Sequence, residues 1–149
     1  MKEVQGNLVT LIEEEAFDVA IHGCNCFNTM NSGVAASLRS AFPEVYETDL
    51  KTIRGDRTKL GTYSTVYLTN GSSILNAYTQ YKYSKTKKCV SYEAIFNVFT
   101  LIKKELGNLD IRFGIPLIGA GLAGGDWDTI HSIIDPIMED EDLTLVRFN

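Results

Sequence analysis

Residues 111–127 read IRFGIPLIGAGLAGGDW, a β-rich run that passes into four glycines within seven residues, Gly119 to Gly125. Ile111 to Ile118 reads as a buried strand, because apolar β-formers dominate it. Asp126 can cap the helix that follows, with Trp127, Ile130, Ile134 and Ile137 on one face and Pro136 shortening its end. A strand, a glycine-rich loop and a helix N-terminus in succession let backbone N–H groups approach a phosphate closely. The run also satisfies G-x-G-x-x-G. A dinucleotide fingerprint, however, opens a βαβ unit and needs an acid about 20 residues further on. Only one helix and one strand remain after Gly125, which argues against a nicotinamide-dependent dehydrogenase.

Working outward, strand and helix signals alternate. Strands are predicted at Lys2 to Gln5, Phe17 to Gly23, Thr62 to Leu68, Ser73 to Tyr78 and Leu143 to Phe148. Asn70-Gly71 marks a hairpin turn between two of them. One helix begins near Gly33, with Val34, Leu38 and Ala41 at helical spacing, and Pro43 opens another. The clearest helix runs from Ser91 to Leu106, with Ile95, Val98, Phe99, Ile102 and Leu106 in one stripe and Gly107 at its end. Interleaved strands and helices imply a mostly parallel sheet covered on both faces, with ligands beyond the carboxyl ends of the strands.

A second loop belongs at that same end. It runs His22-Gly-Cys-Asn-Cys-Phe-Asn-Thr-Met-Asn-Ser-Gly33-Val-Ala35. Its Asn and Ser side chains suit sugar hydroxyls, and Gly33, Val34 and Ala35 can turn N–H groups toward a diphosphate. Two helix N-termini facing one anion would hold it without an arginine clamp.

The chain has 149 residues, fitting one domain over 1–149, and a net charge of −5. Acidity argues against nucleic-acid binding, which rests on Lys and Arg neutralising phosphates. The basic run Lys82 to Lys88 reads as a solvated loop. Cys24, Cys26 and Cys89 read as reduced core thiols. No apolar run follows Lys2 and Glu3, and no stretch approaches a membrane span, so a soluble cytoplasmic protein is expected. There is no Ser-His-Asp pairing and no metal-ligand cluster, so neither metal nor cofactor is expected.

These pieces in order resemble the macro domain family, over nearly the whole chain. The matches are Gln5-Gly6-Asn7-Leu8, Ile21-His-Gly-Cys-Asn-Cys26, Met30-Asn-Ser-Gly33-Val-Ala35, Tyr78-Thr79-Gln80, and Ile115-Pro-Leu-Ile-Gly-Ala-Gly-Leu122 followed by Trp127. The resemblance is closest to the branch that includes the yeast ADP-ribose-1″-phosphate phosphatase and the terminal ADP-ribose protein glycohydrolase. It implies a three-layer α/β/α sandwich with a mixed, mostly parallel central sheet, and ADP-ribose or a derivative as ligand. It places Asn7 and Leu8 at adenine, where the family's aspartate is replaced by an amide. It puts Asn25 near the distal ribose, and Met30, Ser32, Gly33, Val34 and Ala35 around the diphosphate with Gly119, Ala120, Gly121, Leu122, Ala123 and Gly124. Thr79 and Gln80 also fall at the ligand. Gln80 and Ala123 stand where the glycohydrolase branch has its lysine nucleophile and aspartate acid, so that covalent mechanism is excluded.

Two functions are weighed. One is a hydrolase, phosphatase-type, that opens the 1″-phosphate ester or an acyl or glycosyl link of an ADP-ribose derivative. In it His22 serves as acid or base and Asn25 positions the ribose. The other is a non-catalytic ADP-ribose-binding module. A chain without an attached reader domain tips the preference to the enzyme. Partners would be the small ligand and, in a de-ADP-ribosylating role, an ADP-ribosylated protein; nothing requires more than a monomer. A third reading, a nucleotide or RNA-end binder stacking bases on Tyr78, Tyr81 and Tyr83, is opposed by the acidic pI.

Overall fold

The computed structural model describes residues 1–84 and 87–148. Six strands form one sheet: β1 (Lys2–Gln5), β2 (Val19–Cys24), β3 (Tyr63–Tyr67), β4 (Ser73–Tyr78), β5 (Arg112–Ile115) and β6 (Asp142–Arg147). Their order is β1-β6-β5-β2-β4-β3, and every pairing is parallel except β3 with β4. The mixed, mostly parallel α/β sheet is therefore as the sequence implies. The β3–β4 hairpin turns at Asn70-Gly71, where Gly71 takes a φ of 92° that a side chain would resist.

Helices cover both faces. On one side lie α1 (Leu8–Glu13), α2 (Gly33–Ala41) and α3 (Pro43–Leu50), and on the other α4 (Tyr92–Leu106) and α5 (Trp127–Ile137). Each face has its own core. Ile21, Leu75, Phe113 and Leu145 meet Ile95, Phe99, Ile102, Ile130 and Ile134 on the α4/α5 side. Ala20, Ile74, Tyr78 and Val146 meet Leu8, Ile12, Leu38 and Val45 on the other. The alternation along β2 follows from a strand covered on both faces.

Local rules set most boundaries. Ser91 caps α4 by accepting from the Ala94 N–H, Asp126 caps α5 by accepting from the Thr129 N–H, and α5 ends one residue after Pro136. Several expectations are corrected. The Ile111–Ile118 strand is only Arg112–Ile115, because Pro116 has no N–H for the ladder. Leu106 is only half-buried at the end of its helix. On α2, Leu38 alone is buried; Val34 and Ala41 are exposed, since the sheet touches a narrower stripe of this short helix. Helix α1 was not foreseen; Asn7 starts it by accepting from the N–H groups of Val9 and Thr10. Cys24 and Cys26 are buried free thiols, but Cys89 is only half-buried, on the loop before α4 rather than in the core.

Candidate functional site

The strand-end loops do meet. A cleft of about 670 Å³ opens at the carboxyl ends of β2 and β5, lined by segments of both loops. That volume suits a drug-sized or nucleotide-sized ligand, for which pockets run to roughly 300–1,000 Å³. Among the described residues its walls contain no Lys, Arg, Asp or Glu. An anion there would meet backbone dipoles and neutral polar side chains.

Two arrays of amides supply them. Ser32 sits at the N-cap of α2 in an extended conformation but makes no side-chain capping bond. The first N–H groups of a helix have no partner within it, so those of Gly33, Val34 and Ala35 face the cleft uncapped. The helix dipole adds partial positive charge at the same place. Opposite, the glycine-rich loop is folded by bonds from the N–H groups of Ala120 to Leu117 O, Gly124 to Gly121 O and Gly125 to Gly119 O. The amides of Gly121, Leu122 and Ala123 have no acceptor among the described residues. By contrast the α5 N-terminus is closed by Asp126, whose own N–H donates to Tyr92 Oη. The loop rather than α5 is the part of that segment that brings unpartnered amides to the cleft.

The sequence-derived residues divide accordingly. His22, Asn25, Met30, Ser32, Gly33, Val34, Ala35, Gln80, Gly119, Gly121, Leu122 and Ala123 line the cleft. Asn7, Leu8, Thr79, Ala120 and Gly124 do not. Asn7 spends its amide oxygen on α1, and Leu8 is buried in the core. Thr79 is buried against Gly23, with its hydroxyl unpartnered among the described residues. Gly124, at φ 75°, lies against the Lys88 backbone. Tyr83, which the resemblance did not place at the ligand, also stands on the cleft wall.

The two residues given catalytic roles are both committed elsewhere. The His22 ring is 1% exposed. Its Nε2 lies 2.6 Å from Asn76 Oδ1. Asn76 Nδ2 donates to Val45 O and Ser64 Oγ, which turns its oxygen to the ring and assigns the imidazole proton to Nε2. Burial lowers the His22 pKa to about 4, against the opposing pull of the Asn76 bond. At neutral pH it is an uncharged structural imidazole. Asn25 is equally occupied: its Nδ2 donates to Thr29 Oγ1 at 2.7 Å and its Oδ1 accepts from the Phe27 N–H. It shapes the loop from within.

Beneath the loop, Asn28 adopts a left-handed φ of 57°. Lys59 Nζ donates to its Oδ1, its Nδ2 donates to Asp49 O and Thr52 O, and Tyr46 Oη donates to its carbonyl. Nothing local in the sequence marks Lys59 as the anchor of this loop. Burial raises the Asp49 carboxyl pKa while the Tyr78 hydroxyl, donating to Oδ1, pulls it down.

No protein-family model matches the chain. An uncharacterized 17.5 kDa protein from the tk-vs intergenic region of Enterobacteria phage T4 is 37% identical, over 98% of this chain and 95% of the phage protein. The chain belongs to the family of that phage protein. Solved structures extend the likeness at the level of fold. The macrodomain of Thermus aquaticus DarG superposes with a TM-score of 0.75 at 20% identity, over 99% of this chain and 97% of that one. Thermosipho africanus DarTG in complex with ADP-ribose gives 0.77 at 14% identity, over 100% of this chain and 42% of that one. A protein of unknown function from Bacteroides thetaiotaomicron gives 0.80 at 19% identity, over 98% and 96%. This member of the phage family therefore has the macrodomain fold. Its carboxyl-end cleft lies where open parallel sheets bind ligands.

Proposed function

We propose that the cleft binds ADP-ribose, with the diphosphate between the α2 N-terminus and the glycine-rich loop. The observation that carries this is the pairing of two uncapped amide arrays across one cleft that holds no charged side chain among its described residues. Oriented N–H dipoles favour a diphosphate without the ordering cost of long basic side chains. The fold shared with the Thermosipho protein, whose structure contains ADP-ribose, supports the choice of ligand. On this reading Ser32, Gly33, Val34 and Ala35 face one phosphate, and Gly121, Leu122 and Ala123 the other. Gln80 and Met30 close the distal-ribose end.

Binding, rather than hydrolysis, is the activity this geometry favours. A general acid or base must reach the reacting group and titrate near working pH. His22 does neither, and Asn25 holds its own loop. A phosphatase-type activity would need an acid or base other than these two residues.

Calorimetry with ADP-ribose, ADP and AMP tests the ligand. ADP-ribose is expected to bind tightest, and equal affinity for all three would contradict a distal-ribose pocket. Phosphate release from ADP-ribose 1″-phosphate tests catalysis, and no turnover above buffer is expected.

A further inference from the structure

The net charge of −5 conceals a segregation. Eight of the fourteen Lys and Arg residues lie between Lys51 and Tyr92, against one of the nineteen acidic residues, Asp56. The fold brings two described parts of this stretch, around Gly55 and around Tyr81, to the ligand end of the sheet. Gly55 N donates to Cys26 O, Cys26 N donates to Tyr81 O, and Tyr81 Oη donates to Gly55 O, so the segments around Gly55 and Tyr81 pack on the end of β2. Arg54, Arg57, Lys82, Lys87 and Lys88 are all exposed there. Among the described residues none of the five is in an ion pair, whereas Lys2, Lys103, Arg112 and Arg147 each are. Asp18, Asp110 and Asp142 stand at the opposite end, before or at the starts of β2, β5 and β6, while Asp56, Glu93, Asp126 and Asp128 share the ligand end with the cations.

The basic end also carries aromatic faces. Arg57 stacks on Tyr81 at 3.7 Å from the ring centroid, Phe27 meets Tyr81 edge-on at 4.9 Å, and Tyr83 is 60% exposed on the cleft wall. Lys88 lies over Tyr92 at 4.0 Å. Unpaired cations around stacking rings are the recipe for sequence-tolerant binding of single strands, in which phosphates meet Lys and Arg and bases meet aromatic or guanidinium planes.

We infer that this rim is a binding surface for single-stranded nucleic acid, running past the cleft between the Arg54–Arg57–Tyr81 side and the Lys87–Lys88 side. Whole-chain acidity does not oppose it. Screening limits a bound strand to the charges within about 8–10 Å, and at the rim these are chiefly the five exposed cations. The surface does not depend on what the cleft itself binds.

The test is fluorescence anisotropy with labelled single-stranded DNA and RNA 12-mers, a duplex of equal length, inorganic polyphosphate and poly-glutamate. Single strands are expected to bind with a Kd of about 10 μM at low salt, and with a log Kd–log salt slope of about 3 if four cations engage phosphates. They should bind at least fivefold tighter than polyphosphate or poly-glutamate; the DNA and RNA arms show which sugar is preferred. Arg54→Glu, and Lys87→Glu with Lys88→Glu, should each weaken binding at least fivefold. Calorimetric ADP-ribose affinity and melting temperature, measured on the same variants, should hold within twofold and a few degrees. Absence of binding, equal affinity for poly-glutamate, or indifference to both charge reversals in folded protein overturns the inference. Failure of ADP-ribose to bind overturns only the reading of the cleft.

Discussion

Leu122 leans over Gly33: a Cβ placed on Gly33 would stand 3.5 Å from Leu122 Cδ1. The two residues come from different loops, so their contact joins the amide arrays across the mouth of the cleft. Leu122 is 56% exposed, an apolar side chain kept at the surface beside Val34. Truncating it should open the mouth without harming the core. Leu122→Ala is expected to speed ADP-ribose dissociation several-fold and change stability by less than about 0.5 kcal/mol, measured by stopped-flow and by thermal melts.

Ser32 leaves α2 uncapped, and a better cap should be a worse binder. Aspartate at an N-cap stabilises a helix by about 0.5–1 kcal/mol relative to a residue that makes no capping bond. Placed at Ser32 it would also set a negative charge against the amides offered to the diphosphate. Ser32→Asp is expected to raise the melting temperature slightly and weaken ADP-ribose at least tenfold. Unchanged affinity in calorimetry would remove α2 from the binding site.

The glycines of the second loop are not equivalent. A Cβ on Gly125 would lie 2.5 Å from Gly119 O and 2.7 Å from Val90 Cγ1, while one on Gly121 would meet nothing within 4 Å. Gly125→Ala must move backbone, and is expected to cost about 2–4 kcal/mol in urea unfolding. Gly121→Ala should be neutral to stability within about 0.5 kcal/mol. Any loss of ADP-ribose affinity in Gly121→Ala then reports crowding of the ligand alone.

His22 makes stability depend on pH. Its folded pKa is about 4 and its ordinary value 6.5. The unfolded chain therefore takes up the proton first, so the contribution is full above about pH 6.5 and falls away as pH drops toward 4. The loss integrates to about 3 kcal/mol. Asp49, whose carboxyl is pushed up, acts in the opposite sense in the carboxylate range and blunts the acid end. Urea titrations from pH 7.5 to 4.5 should show the decline, and His22→Gln should flatten it. An equal slope in both proteins would remove His22 as its source.

Much of the fold could be read from the chain because its signals act within a few residues. The Ser91 and Asp126 caps, the Ile95–Val98–Phe99–Ile102 stripe and the Asn70-Gly71 turn all depend on neighbours within a turn or two of backbone. Alternating strands and helices then implied a mostly parallel sheet, and with it the meeting of the two strand-end loops that the cleft bears out. Helix α1 escaped because its six residues are too few to show a period, and Asn7 was assigned to a ligand instead of a cap.

What the sequence by itself determined, then, was the class of fold, most element boundaries and the two segments that build the cleft. Tertiary structure alone decided what individual side chains do there. His22 is silenced by burial, its Nε2 held by Asn76, 54 residues away but adjacent through the parallel β2–β4 pairing. Gly125 and Gly121 look alike in the chain and differ only in what packs against them. Likewise, one net charge summed over 149 residues carries no direction, and only folding brings Arg54, Arg57, Lys82, Lys87 and Lys88 to one rim. Burial, electrostatics and close packing depend on distance in space, and a parallel sheet brings together residues that sequence keeps far apart.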